Sequence, residues 1–547
     1  MTKNQNPNTK GNIHIGGQNI GMGEFITGPS IVVDSIDNPP LNHTDPSKRE
    51  DYTPKDKRKR ILLITDDIRV HSGVAQIGRE IVMETCHKYN WTCIAGAVKH
   101  PEYGKKIEMS KEVDKVTGLT YSDVTKYPAH GYGEPGLLKG IMVTDKPDAI
   151  LLITDPRYFE WIFQMENEIR KEIPIAYLNI WDDFPAPQYN EEYYESCDLL
   201  MGISKQTKFI NEIVLGDKGK NKIINYVPHG LNSNYFFNIE PSHPRYKDVQ
   251  IFRKKVGVTK GSVNESNPRF KHWEKGLPEK EFTLLFNSRN IRRKSIPDTI
   301  LGWRLFTEQL SPEERKNVQF VLHTDPISDH GTDIFAIIDY FSVGDEAYES
   351  DIIMDADRFS TDEMNLLYNC VDAVILCSSA EGWGLALTEA LLTGRPIIAN
   401  VTGGMQDQMR FIDSDGKSFT PSVDIPSNHK GTYKECGEWA FPVFPAVNSI
   451  QGSVPTPYIY DDRCRPEDIA EQIMTVYKLS PEERKRRGKA GSDWARSEEA
   501  GFTHYHQGKR IIENFDKLFE TWKPRERFEF VKDTDYKKRV LRHKLVY

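Results

Sequence analysis

At 547 residues the chain exceeds what one hydrophobic core usually serves, so two domains with appendages are expected. Its make-up, 38% hydrophobic, 11% aromatic and 28% charged, is that of a globular protein in water, and a formal net charge of -8 gives no global electrostatic reason for nucleic-acid binding. Seven cysteines without paired ligand spacing read as free thiols, no apolar run nears the roughly 18 residues that span a bilayer, and the start MTKNQNPNTKGNIHIGG lacks a signal peptide's apolar core, so a cytoplasmic protein with no integral membrane segment is expected.

Residues 1–57, rich in Asn, Gly and Pro, read as an extension with one β-like patch, FITGPSIVVDS. KRILLIT (59–65) then has the length of a buried parallel strand and leads through a Gly-containing loop into the helical stretch VAQIGREIVMETCHKY. The alternation recurs with DAILLIT (148–154) before PRYFEWIFQMENEIRKE, IPIAYLNIW (173–181), CDLLMGIS before KQTKFINEIV, and KIINYVPHG. This predicts a doubly wound α/β domain over 58–235.

Residues 236–280 turn polar and irregular, as a linker with an insertion would. A second α/β series occupies 281–499: EFTLLFNS, a helix from about 295 to 310, VQFVLHT, DIFAIIDYF, DIIM, TDEMNLLYN, VDAVILCSS, a helix after Gly384, and RPIIAN. Its Pro- and Gly-rich part, 412–463, reads as an irregular insertion. The last pattern, GFTHYHQGKRIIENFDKLFETW, lies in a segment, 500–547, expected to cross back onto the first domain and to end in a basic tail from Lys523. Two open sheets in tandem imply a cleft, with ligands beyond the carboxyl ends of the strands.

Two strand-to-helix loops carry the chemistry. In VILCSSAEGWGLALTEALLTG, Gly382 and Gly384 let backbone approach a ligand, and the N–H groups of a helix starting near Leu385 suit a phosphate or a sugar hydroxyl. Glu381 in the loop can accept hydrogen bonds from hydroxyls, and Glu389, a turn inside the helix, can accept both hydroxyls of a ribose. Buried carboxylates of this kind cost several kcal/mol without donors, so partners are expected. In LLFNSRNIRRKS, Arg289, Arg292, Arg293 and Lys294 crowd positive charge at a strand's carboxyl end, where it opposes the dipole of the following helix. A bound diphosphate resolves that conflict, and the same cations stabilise it as it leaves.

NSRNIRRKS followed by EGWGLALTEALLTGRPIIANVTGG resembles the retaining, nucleotide-sugar-dependent glycosyltransferases of the GT-B fold, in the large branch that includes sucrose synthase and bacterial mannosyltransferases. The resemblance implies two Rossmann-like domains facing across a cleft, the first on the acceptor side and the second binding the donor. It implies Arg289 and Lys294 on the diphosphate, Glu381 on the donor sugar and Glu389 on the ribose. HSGVAQIGREI resembles the family's first Gly-containing loop, with Gly73 near the donor phosphates, and YVPHGLNSNYF is similar to its strand-end signature, with His229 and Gly230 near the hinge. Many relatives carry a histidine after the strand corresponding to PIAYLNIW; here the chain reads IWDDFPAP, so Asp182 or Asp183 takes that place, unless the acid is a helix cap.

The implied activity is retaining transfer of a hexose or pentose from a nucleoside diphosphate sugar to an acceptor hydroxyl, with no cofactor and no metal. An epimerase, a phosphorylase or a non-catalytic sugar-nucleotide-binding protein on the same architecture are the alternatives. The acceptor stays open among a glycan, a lipid, a small molecule, a protein and modified DNA, as do the sugar, the base and the oligomeric state.

Overall fold

The computed structural model describes residues 51–97, 99–257, 276–342 and 351–526. The patch FITGPSIVVDS and the basic tail beyond residue 526 lie outside the described residues.

The first sheet has eight strands: β1 (Arg60–Asp66), β2 (Asn90–Gly96), β3 (Ile107–Glu108), β4 (Val124–Pro128), β5 (Ala149–Ile153), β6 (Ile175–Asn179), β7 (Leu199–Gly202) and β8 (Ile223–Tyr226). Their order is β3-β4-β2-β1-β5-β6-β7-β8, parallel throughout except for β3 against β4. Helices cover both faces, so both are apolar: Ile61 and Leu63 of β1 enter one core cluster, Leu62 and Ile64 the other. This is why the strands read as continuous hydrophobic runs.

The second sheet is parallel and six-stranded, in the order β11-β10-β9-β12-β13-β14. Its strands are β9 (Phe282–Asn287), β10 (Val318–His323), β11 (Ile352–Asp355), β12 (Ala373–Leu376), β13 (Ile397–Asn400) and β14 (Ala440–Val443). In each sheet the chain winds outward one way and then the other, so each has a switch point, β1 beside β5 and β9 beside β12. A crevice opens at such points, and ligands of open α/β sheets bind there.

Residues 412–463 hold more order than the sequence suggests. Strand β14 completes the second sheet as an edge strand, a position that tolerates Pro442. Strands β15 (Val447–Ser453) and β16 (Thr456–Arg463) then form an antiparallel hairpin. In the segment read as a linker, the Tyr246–Phe252 helix buries Val249 and Phe252, and Arg245 holds both oxygens of Asp362 at 2.8 and 2.7 Å.

The chain leaves the first domain after β8 and returns beside the same place. The Leu231 amide donates to the Phe502 carbonyl (3.1 Å) and the His504 amide to that of Leu231 (2.8 Å). The His504–Thr521 helix then lies against the Gly73–Thr85 helix, with the Tyr89 hydroxyl donating to Asp516 at 2.8 Å.

Candidate active site

The loop between β12 and the Leu385–Leu392 helix turns on Gly384, whose φ of +85° is a left-handed conformation that glycine adopts without strain. It presents Glu381, only 7% exposed. Glu381 Oε2 accepts from Arg293 Nη1 (2.8 Å) and from Lys294 Nζ. Burial pushes this carboxyl up, but the two cations outweigh it and hold it at about 2. The cations come from the Arg292–Lys294 turn after β9, where the Ser379 amide donates to the Arg293 carbonyl (2.7 Å) and Arg293 Nη1 to that of Ala380 (2.7 Å). These bonds lock the two loops to each other.

Glu389 sits inside the helix, 8% exposed. Its Oε2 accepts from the Tyr368 hydroxyl (2.6 Å) and from Asn287 Nδ2 (3.3 Å), at the end of β9. Burial dominates here and raises the carboxyl to about 7. No donor among the described residues reaches Oε1, which is free to accept from hydroxyls of a ligand.

The first domain meets this loop from the opposite side. Asp182, after β6 and 30% exposed, accepts from the Gly382 amide (2.9 Å) through Oδ1, and its Oδ2 lies 3.6 Å from Arg293 Nε. Burial raises this carboxyl and Arg293 opposes the rise. Asp183 turns into the protein instead, accepting from the Phe184 amide (2.7 Å), Gln206 Nε2 (2.7 Å) and Thr402 Oγ1 (2.9 Å). Asp182 is therefore the acid that faces Glu381 and Arg293, and Asp183 fixes the loop. A side chain at Gly382 would lie 2.5 Å from the Ile180 carbonyl, and one at Gly403 2.8 Å from that of Asp182. Only glycine lets the two domains approach this closely.

Gly73 opens its helix behind the cap of Ser72, whose Oγ accepts from the Ala75 amide (3.0 Å) and donates to Asp66 (2.5 Å). A Cβ at Gly73 would lie 3.0 Å from Leu385 Cδ1, so two helix N-termini, one from each domain, converge on one spot. His229 is buried with its ring edge-on to Trp383 at 6.1 Å, and burial pushes it down to about 3, leaving it neutral.

The structure thus gathers Lys294, Glu381, Gly382, Gly384, Leu385, Asp182 and Gly73 where the domains face, with Glu389 one helical turn away. Arg289, on the same loop as Lys294, is exposed and pairs with none of the described residues, and the guanidinium bonded to Glu381 is that of Arg293. Tyr368 and Asn287, the partners of Glu389, lie far from it in sequence, and no local pattern announces them. Among the described residues, no three His, Cys, Asp or Glu side chains converge as a metal site, and no helix is long and apolar enough to cross a membrane.

No protein-family model matches the chain and no curated protein sequence does. Among solved structures it is similar to sucrose-phosphate synthase from Thermosynechococcus elongatus at 14% identity and a TM-score of 0.54, over 85% of this chain and 100% of that one. It is also similar to Anabaena HepE in complex with UDP and glucose (14%, 0.53, 84% of this chain and 100% of that one). A third is the E. coli trehalose-6-phosphate structure bound with UDP-2-fluoro glucose (11%, 0.53, 85% and 100%). The fold is that of the GT-B glycosyltransferases, two Rossmann-like domains facing across a cleft.

Proposed function

We propose that the protein is a retaining glycosyltransferase that moves a sugar from a nucleoside diphosphate sugar to an acceptor hydroxyl. The observation that carries this reading is the meeting of Glu381, Arg293 and Lys294 of the second domain with Asp182 of the first. Solved neighbours of the same fold bind such donors: HepE is in complex with UDP-glucose in one structure.

The donor lies on the second domain at the β9–β12 switch point. Glu389 accepts the ribose hydroxyls, and Lys294, with Arg289 and Arg293 of the same loop, carries the diphosphate charge. As the bond from the anomeric carbon to phosphate oxygen breaks, charge collects on that oxygen, and fixed cations in a closed, partly dry site stabilise it. The acceptor oxygen bonds to the anomeric carbon on the face the phosphate leaves, and its proton passes to the leaving phosphate. Glu381 holds both cations in place and takes hydroxyls of the donor sugar.

The test measures nucleoside diphosphate released from UDP-, GDP- and ADP-sugars, with EDTA present and absent, and reads the anomeric configuration of the product by NMR. Expected are release from one donor class, a retained configuration, no loss with EDTA, and at least a tenfold fall in turnover for Lys294→Ala, the scale of one transition-state charge contact. An inverted product, or a donor sugar epimerised without acceptor, overturns the reading.

A further inference from the structure

We propose that the acceptor is a neutral carbohydrate, seated against the ring of Tyr158 at the carboxyl end of β5 and selected against phosphorylated or nucleic-acid acceptors. The proposal deepens the glycosyltransferase reading and rests on it.

The position follows from the sheet order. Strand β5 lies between β1 and β6. The loop after β1 reaches Leu385 through Gly73, and the loop after β6 reaches Gly382 through Asp182. The loop after β5 therefore lies between these two contacts, on the side of the sheet that faces the second domain. Its far side is bounded by the β15–β16 hairpin, whose Thr456 Oγ1 accepts from Arg157 Nη1 at 2.7 Å.

Tyr158 is 55% exposed in this loop. Its ring leans on Tyr132, 4.9 Å between centroids, and Tyr132 meets Phe159 edge-on at 5.7 Å. The Tyr132 hydroxyl donates to Asp66 Oδ1 (2.7 Å), so the rings behind Tyr158 are fixed. A rigid aromatic face left open on this side of the sheet is a stacking surface for a ligand with an apolar face and polar edges, as a pyranose has.

The charges around it exclude an anion. In the loops after β1, β4 and β5, covering 66–73, 129–135 and 154–158, the Lys and Arg residues are Arg69 and Arg157. Each grips a carboxylate two residues away: Arg69 holds Asp67 at 3.2 and 3.1 Å, and Arg157 holds both oxygens of Asp155. Lys126 of β4 is buried on Asp67 at 2.9 Å. With the loop after β2 included, Asp66, Asp67, Glu102, Glu134 and Asp155 stand against Arg69, Lys99, Lys105, Lys126 and Arg157, five charges against five, and Lys106 is turned onto Asp145 (2.7 Å), so this edge offers a phosphate neither a free guanidinium fork nor a net positive field. The remaining lone pairs on Asp66 and Asp155 suit sugar hydroxyls.

The full chain, supplied with its best donor, is assayed against maltose, cellobiose and mannobiose, against glucose 6-phosphate and fructose 6-phosphate, and against single- and double-stranded DNA. Stimulated release of nucleoside diphosphate by a neutral sugar is expected, with Tyr158→Ala raising that acceptor's KM at least tenfold and Tyr158→Trp keeping it within threefold. Saturation-transfer NMR with the same neutral sugar should lose its signal in Tyr158→Ala. Stimulation by a sugar phosphate or by DNA, a silent neutral panel, or an unchanged acceptor KM in Tyr158→Ala overturns the proposal. If calorimetry finds no sugar nucleotide that binds, the glycosyltransferase reading fails as well; if a donor binds and a phosphorylated acceptor reacts, only the acceptor assignment falls.

Discussion

Glu381 and Glu389 stand eight positions apart, both less than a tenth exposed, yet burial carries the second to about 7 while Arg293 and Lys294 hold the first at about 2. An acid whose folded pKa exceeds the ordinary 4.5 binds its proton more tightly when folded, so Glu389 lowers stability progressively as pH rises from about 4.5 to about 7 and by a level amount above. Glu389→Gln should therefore stabilise the protein at pH 8 by on the order of 3 kcal/mol and leave it nearly unchanged at pH 4. Thermal melts at the two pH values decide this, and an equal gain at both would remove Glu389 as the cause. In the wild type the proton competes with ribose hydroxyls, so donor affinity should fall below pH 7. Glu381 has the opposite sign: its contribution is full above pH 4.5 and is lost as pH falls toward 2. The sequence made these acids legible because a loop and one helical turn fix their spacing. Which cation turns inward was not legible, since that depends on the Arg292–Lys294 turn and on Ser295 at a φ of +49°.

The β15–β16 hairpin belongs to the second domain but is bonded to the first. The Tyr460 amide donates to the Phe184 carbonyl (2.7 Å), the Tyr189 hydroxyl to that of Tyr458 (2.9 Å), and the Gln188 amide to the Tyr458 hydroxyl (3.2 Å), beside the bond from Arg157 to Thr456. At about 1 kcal/mol net for each bond, the set is worth a few kcal/mol, the size of bias that sets an open-to-closed equilibrium. Replacing residues 449–460 with Gly-Gly should leave both domains folded, enlarge the radius of gyration in solution scattering and raise donor KM. Unchanged scattering and kinetics would mean the hairpin is no clasp. The hairpin was hidden in the sequence because β15 is solvated along most of its length and so lacks an apolar stripe. Strands β2 and β4 were hidden for another reason: NWTCIAG and VTKYP carry polar residues whose partners, such as Asp67 of the loop after β1 for the buried Lys126, come from elsewhere in the fold. Strands β1, β5 and β9 read directly because their centres, ILLI, AILLI and LLF, are unbroken apolar runs.

For the molecule as a whole, relative motion of the two domains must pass through two adjacent chain crossings, 227–236 outward and 500–504 returning. Leu231 pairs with Thr503 in a parallel bridge between them, and the returning helix anchors on the first domain through its buried Ile511, Ile512, Phe515 and Leu518. The doubly wound fold of both domains was legible from strand and helix alternation, whereas this contact between crossings is set by packing across the chain. Gly230 is its tightest point: a Cβ there would lie 2.2 Å from the Thr503 carbonyl oxygen, 2.6 Å from its carbon and 2.8 Å from Gln507 Cβ. Backbone cannot swing aside as a long side chain can, so Gly230→Ala must push the crossings apart. The expected cost is about 1–3 kcal/mol, as for other overpacked sites. A pivot that is displaced also changes closure, so kcat and donor KM should shift together although the residue touches no substrate. Gly140→Ala, in the Pro135–Thr144 helix with open space around the added methyl, is the control and should be neutral or stabilising by up to about 1 kcal/mol. Equal melting temperatures and kinetics for the two variants would show that the crossings move freely and that closure is governed elsewhere.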